Sequence, residues 1–248
     1  MKKAWIAMFV VTALLCSPGF SQQPLEFGVT ADFMGKYIWR GQILSDDPVF
    51  QPGATLTYKN FTAGFWGNMD LTSINNHSGE FTEYDYYLDY SAQLCEGIGY
   101  SVGLIYYYFP GLTDTTELYW GIGFDVPLNP AITVYYDVDE VEGAYICGSV
   151  GHTFENVFEI VQGTPTSVEL GASLGWGSAS YNDGYWGTDQ SKLNDLALSI
   201  AFPTRFGNLT LSPSLNYVAL VSYDIRSTDA FTTESDYFFA GLNLVYDF

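Results

Sequence analysis

Few side chains in these 248 residues could carry out covalent chemistry. A hydrolase needs a nucleophile and a general base within hydrogen-bond reach, and the chain has two histidines to offer, His77 and His152. His77 lies in the polar stretch NNHSG, where a solvated loop imidazole is the simpler reading. His152 and Thr153 put a base beside a hydroxyl, but neighbours in a strand point to opposite faces and cannot act as a pair. The acidic run DVDEVE, residues 137–142, could attract Ca²⁺, yet it lacks the ligand spacing of a calcium-binding loop. No metal site and no cofactor is expected.

Carboxylate is what the chain has in quantity: 28 Asp and Glu stand against 8 Lys and Arg, a formal charge of −20. Without Lys2 and Lys3 it becomes more negative still. Phosphate binding requires a basic face, so nucleic acid is excluded as a partner. Those two lysines open a leader: an apolar run from Ala4 to Cys16 follows, then a polar segment ending Gly19-Phe20-Ser21 with small residues where a signal peptidase reads. Residues 1–21 read as a secretory signal peptide, leaving residues 22–248 as one domain. Leu15 stands before Cys16 where a lipoprotein signal wants a small residue. No later apolar run is long enough for a transmembrane helix, so any membrane crossing must use strands.

Strands are what the pattern supplies. From Glu26 to Arg40 the odd positions read Phe27, Val29, Ala31, Phe33, Gly35, Tyr37 and Trp39, while the even ones include Thr30, Asp32, Lys36 and Arg40. Period two over that length predicts a strand with one apolar and one polar face. Similar runs recur to the end of the chain, about twelve in all, with Pro, Gly, Asn and Asp collected between them. A soluble sandwich also alternates. Three features favour a closed antiparallel transmembrane β-barrel instead. Gaps after odd-numbered strands are often long (41–53, 71–80, 178–192, 219–235) and those after even-numbered ones mostly short, with 154–166 as an exception. The polar face is rich in Gly, Ser, Thr and Tyr, which suits a wet lumen, and the apolar face carries aromatics near strand ends, which suits interfacial girdles. The ending LNLVYDF resembles the C-terminal signal of bacterial outer-membrane proteins, with Tyr246 and Phe248 on the apolar face read by the insertion machinery. In such a barrel Cys95 and Cys147 fall near opposite ends, and no disulfide is expected between them.

Alternation also assigns the lumen. Inward acids include Asp32, Asp70, Glu83, Asp85, Asp89, Glu117, Asp125, Asp137, Asp139, Glu169, Asp195 and Asp247, against the inward bases Lys36, Arg40 and Lys59. A wall of one charge sign concentrates the opposite ion, so a bore here would prefer cations. Strand direction puts Asp70, Glu83, Glu117, Asp137, Asp139 and Asp195 at the outer mouth together with Arg40. Two readings stand for Arg40, a bridge across two or more of these carboxylates that narrows the mouth, or a single structural salt bridge with no role in transport, while Tyr37 and Trp39 are expected to form a lipid-side girdle at the outer rim.

The string KYIWRGQILS resembles the Tyr-x-Trp/Phe-Arg-Gly-x-x-x-Ser signature of the TorF-type porins, a family of bacterial secreted β-barrel proteins, with Tyr37, Trp39, Arg40, Gly41 and Ser45 as the matching residues. FTAGFWGNMD and GAYICGSVGHTF are similar to two further segments of that family, with Gly67 in place of a usual Ser. The resemblance implies an outer-membrane porin-like channel and names no substrate. The combined reading is a barrel in the outer membrane of a Gram-negative cell, a passive path for small hydrophilic or cationic solutes whose partners are lipid and the barrel-insertion machinery. Its alternatives are a non-conducting surface-binding or scaffold barrel and, behind that, a hydrolase dependent on His152. Whether protomers associate is left open.

Overall fold

The computed structural model describes residues 25–248, so the leader expected at 1–21 lies outside the described residues. In chain order the strands are β1 (Glu26–Met34), β2 (Tyr37–Trp39), β3 (Gln42–Ser45), β4 (Val49–Tyr58), β5 (Phe61–Asp70), β6 (Phe81–Cys95), β7 (Ile98–Tyr108) and β8 (Thr115–Phe124). They continue as β9 (Ala131–Asp137), β10 (Ala144–Val161), β11 (Thr164–Gly177), β12 (Lys192–Ala201), β13 (Thr204–Phe206), β14 (Leu209–Leu220) and β15 (Asp236–Asp247). Two short helices, α1 (Ala179–Trp186) and α2 (Tyr223–Arg226), sit in the connections before β12 and β15.

Among the described residues, twelve strands close a ring in which each pairs antiparallel with the next: β1, β4 to β12, β14, β15 and back to β1. Closure runs through Gly28↔Asp247 to Met34↔Gly241, and no edge of the ring is left open. A closed ring pairs every strand's backbone without help from water, which is what a hydrocarbon environment requires. Strand β13 adds a short rung between β11 and β14 at the ring's lower margin.

The outer face is apolar and exposed, with Phe33, Tyr86, Val102, Leu118, Trp120, Ile132, Leu170 and Phe238 among its residues. Their immediate neighbours point inward, as the period of two demands, and apart from a few such as Met34 and Phe239 they are small or carry a polar group. Connections at one end run from six to fifteen residues (35–48, 71–80, 109–114, 138–143, 178–191, 221–235), and those at the other from two to seven (59–60, 96–97, 125–130, 162–163, 202–208). We call these the loop end and the turn end.

Four expectations need correction. The first strand stops at Met34: Gly35 still donates to the Ala240 carbonyl at 2.8 Å, but the chain then bends and Tyr37–Ser45 form a separate hairpin. The stretch 154–166 is no loop, because β10 and β11 continue as a paired ribbon and turn only at Gln162-Gly163. Lys59 and Asp125 occupy exposed turns, since the chain reverses one residue earlier than alternation suggests, and Lys59 takes a positive φ of 57° to do so. Asp139 lies exposed in the 138–143 loop for the same reason. Cys95 is exposed at the β6–β7 turn and Cys147 faces the lumen, both as free thiols.

Candidate functional site

The β2–β3 hairpin is folded into the loop end of the barrel. Its two-residue turn, Arg40-Gly41, has φ of 50° and 83°, the left-handed values of the tight turn that matches strand twist. Gly41 is also required by space, since a Cβ there would come within 2.7 Å of Leu220 Cδ2 and 2.9 Å of Asp195 Cβ. Tyr37 and Trp39 are therefore not a lipid girdle. Tyr37 is buried, donates its hydroxyl to Glu83 Oε2 at 2.8 Å and packs on Trp66; the Trp39 ring meets Tyr107 and Tyr185 edge-on. Burial, with Glu83 beside it, pushes the Tyr37 hydroxyl well above its ordinary pKa, so it remains a proton donor. Ser45 is buried at the hairpin base and donates to the Asp47 carbonyl, while Lys36 pairs with Asp46 outside.

Arg40 at the tip spans the lumen to the opposite wall. Its Nη1 and Nη2 donate to Glu117 Oε1 and Oε2, each at 2.7 Å, a bidentate fork to one carboxylate rather than a bridge between two or more. The pair is nearly dry, the side chains being 9% and 1% exposed. The guanidinium carbon lies 4.3 Å from the Tyr135 ring centre, 4.5 Å from Tyr145 and 4.4 Å from its own neighbour Trp39. Burial works against the charge, but the Glu117 carboxylate together with the Tyr181 and Tyr107 hydroxyls outweighs it and holds the Arg40 pKa well above its usual value. Tyr107 donates to Glu117 Oε2 at 2.8 Å, and Tyr145 donates to Asp195 Oδ1 at 2.9 Å.

The other acids assigned to the mouth divide by use. Asp137 Oδ1 accepts the backbone N–H groups of Asp139, Glu140 and Val141, and its Oδ2 accepts from Thr115, so it shapes the 138–143 loop. Asp70 is occupied by Asn68 and Asn75 at the next loop. Glu83, Glu117 and Asp195 are the ones turned toward the hairpin.

Helix α1 closes the mouth from the far side. Ser178 caps it by accepting from the Tyr181 N–H, and Gly187 ends it with a φ of 69°. Tyr181 is fully buried and its hydroxyl accepts from Gln42 of the hairpin at 3.4 Å. Asn182 donates to the Gly177 and Gln190 carbonyls and accepts from Asn194, tying the helix to β11 and β12. Trp186 meets Ile225 of α2 and Leu220 in a small apolar core above the rim.

Below Arg40 the lumen is hollow. A cavity of about 370 Å³ is bounded by Arg40, Tyr107, Tyr135, Tyr145, Cys147 and Asp195. Others of about 370 Å³, along Ser149, Ser173, Ser199 and Asn216, and about 500 Å³, along Ser91, Ser101 and Thr133, follow the wall toward the turn end. Lumen tyrosines leave this room because they lie flat on the wall. Tyr87 is directly paired with Gly64 and Tyr119 with Gly103, and a Cβ on either glycine would overlap the ring. Tyr119 is held down by donating to Asp89 Oδ2 at 2.6 Å.

His152 faces outward, with its ring edge-on to Phe154 at 4.5 Å, away from Thr153. Tyr246 and Phe248 meet edge-on at 4.7 Å on the outer face, where Phe248 also meets Phe27.

The comparison with curated proteins found no match. Among solved structures, LpxR from Salmonella typhimurium is similar at 9% identity and a TM-score of 0.53, over 89% of this chain and 99% of that one. The KdgM porin, solved also in complex with disordered oligogalacturonate, is similar at 9% identity and a TM-score of 0.53 over 90% and 99%. The NanC porin follows at 10% identity and a TM-score of 0.50, over the same 90% and 99%. At such identities the likeness is one of fold, the twelve-stranded closed barrel of outer-membrane proteins. Residues 20–203 match the model of a family described as bacterial protein of unknown function, Gcw_chp, and the chain belongs to that family.

Proposed function

We propose that this chain is an outer-membrane channel for small hydrophilic solutes, with a preference for cations and an outer mouth narrowed by its own hairpin. The loop end then faces outward and the turn end faces the periplasm. The observation that carries the reading is the lumen itself: hollow below Arg40, lined by tyrosine, serine and threonine hydroxyls with the Asp195 carboxylate near the hairpin, and wrapped in an apolar outer face. The TorF-type resemblance of KYIWRGQILS and the fold shared with two porins support it. An acidic wall repels anions, so an acidic oligosaccharide such as the oligogalacturonate of the KdgM structure is a poor candidate for this lumen. His152 packs edge-on against Phe154 on the outer face, on the far side of the strand from the lumen, so the hydrolase centred on His152 is not the reading we propose.

The filled loop end favours one alternative, a barrel that does not conduct and serves as a surface scaffold. Planar-bilayer recording under a KCl gradient separates the two. The channel reading expects discrete current steps and a reversal potential of the cation-selective sign, with larger steps for Arg40→Ala. Silence from both proteins, after folding is verified by heat-modifiable mobility, would leave the scaffold.

A further inference from the structure

The surroundings of Arg40 amount to a binding site that holds part of its own chain. Subtracting the hairpin leaves a wall site built on four strands: the buried Glu117 carboxylate on β8, the Tyr135 ring on β9, the Tyr145 ring on β10 and the Asp195 carboxylate on β12. Glu117 presents both oxygens in a fork, and Tyr107 fixes one of them by donating at 2.8 Å. The two rings stand 4.3 and 4.5 Å from the guanidinium carbon, within cation–π range. A planar cation with paired N–H donors matches this geometry better than a point charge does. The site needs no rearrangement of the wall to accept one, since paired strands hold every member. Its open side is the 370 Å³ cavity, which borders Arg40 and Asp195 and gives a solute room to approach from below.

We propose that this wall site is a receptor for guanidinium-bearing solutes, that Arg40 is its resident occupant, and that a competing solute releases the hairpin and opens the mouth. The release step rests on the channel reading; the binding step does not. Only a ligand that binds the undocked state better can shift the balance, and the solute meets that condition because it and Arg40 need the same carboxylate. Its apparent affinity for the native protein is lowered by the small fraction of undocked molecules.

The test uses the full folded chain in detergent and in planar bilayers, with methylguanidinium as the probe at sub-denaturing concentration and sodium at equal ionic strength as the control. Calorimetric titration should show saturable methylguanidinium binding to Arg40→Ala, weaker by roughly tenfold or more in the native protein. It should be lost in Arg40→Ala combined with Glu117→Gln. Arg40→Gly, which also empties the site and suits the positive φ of 50° at this position, replaces Arg40→Ala if that variant fails to fold. In bilayers methylguanidinium, not sodium, should raise the current of the native protein. Equal titration of Arg40→Ala and the double variant overturns the site. Conduction by Arg40→Ala with a native current indifferent to methylguanidinium overturns the release step. Saturable binding with no current from any variant would uphold the site and remove the channel reading.

Discussion

Glu117→Gln isolates what holds the hairpin in the barrel. The substitution keeps the side chain's size and one acceptor, but it removes the charge opposite a guanidinium that is 9% exposed and otherwise faces aromatic rings. Breaking a buried pair from one side costs about 3–5 kcal/mol, because the remaining charge stays desolvated without a counter-ion. That penalty falls on docking of the hairpin rather than on the twelve-stranded ring, whose ladder does not include β2 or β3. At 1.36 kcal/mol per decade the undocked fraction should rise by about two to nearly four powers of ten. Trypsin reads that fraction directly, because it cuts after Arg40 only when the tip leaves the lumen. When opening and closing are fast, the cleavage rate follows the population of the open form. Limited proteolysis of the folded protein in micelles, followed by mass spectrometry of the fragment ending at Arg40, should show cleavage accelerated by at least tenfold in Glu117→Gln, while heat-modifiable mobility persists. Equal cleavage rates in the two proteins would refute the idea that this pair holds the hairpin.

Three further substitutions probe other parts of the same construction. Gly41→Ala places a methyl 2.7 Å from Leu220 and adds left-handed strain of about 1–2 kcal/mol, so trypsin should again cut faster after Arg40, with the barrel's urea midpoint unchanged. Gly103→Ala pushes Tyr119 off the wall and into the bore; single-channel conductance should fall, and overpacking should cost about 1–3 kcal/mol in urea unfolding. Leu88→Arg puts a charge on the outer face in the middle of β6, and refolding into lipid vesicles should lose about 2–4 kcal/mol, whereas a protein whose outer face met water would tolerate it.

The barrel was legible in the sequence because lipid outside and water inside impose a period of two on nearly every strand, and Val102, Leu118, Trp120 and Ile132 obey it. The hairpin was misread for the same reason. Tyr37-Ile38-Trp39-Arg40 continues the alternation of β1, so periodicity alone cannot show that the chain has bent inward after Gly35. A signal was present: Arg40-Gly41 between Tyr-Ile-Trp and Gln-Ile-Leu is a two-residue turn between two short strand-forming runs, with Gly where positive φ is needed. Helix α1 left a comparable trace in Ser178 and Gly187, its two caps, nine residues apart. Nothing local could have singled out Tyr135 or Tyr145. They are ordinary lumen tyrosines until β9 and β10 are set across the bore from the hairpin tip, a relation between distant segments that composition and spacing do not encode.

Charge placement gives the hairpin a meaning that neither fold nor motif supplies alone. Among the described residues, Lys59 and Arg205 lie at the turn end, Lys36 and Arg226 lie in the loop-end connections, and Lys192 opens β12 at the loop end, where it pairs with Asp224 at 2.5 Å. Arg40 is the base carried to the barrel interior, and it is carried there on a segment outside the ring's hydrogen-bond ladder. The acids facing the hairpin, Glu83, Glu117 and Asp195, stand instead on strands that cannot move without breaking the barrel. The positive charge is thus on the movable part and the negative charges on the fixed part. Docking neutralises the carboxylate it covers, and undocking takes away steric block and positive charge together. In the proposed channel, opening the mouth and making it attractive to cations are then one event, because low-dielectric walls of a single sign concentrate the opposite ion once no internal base offsets them.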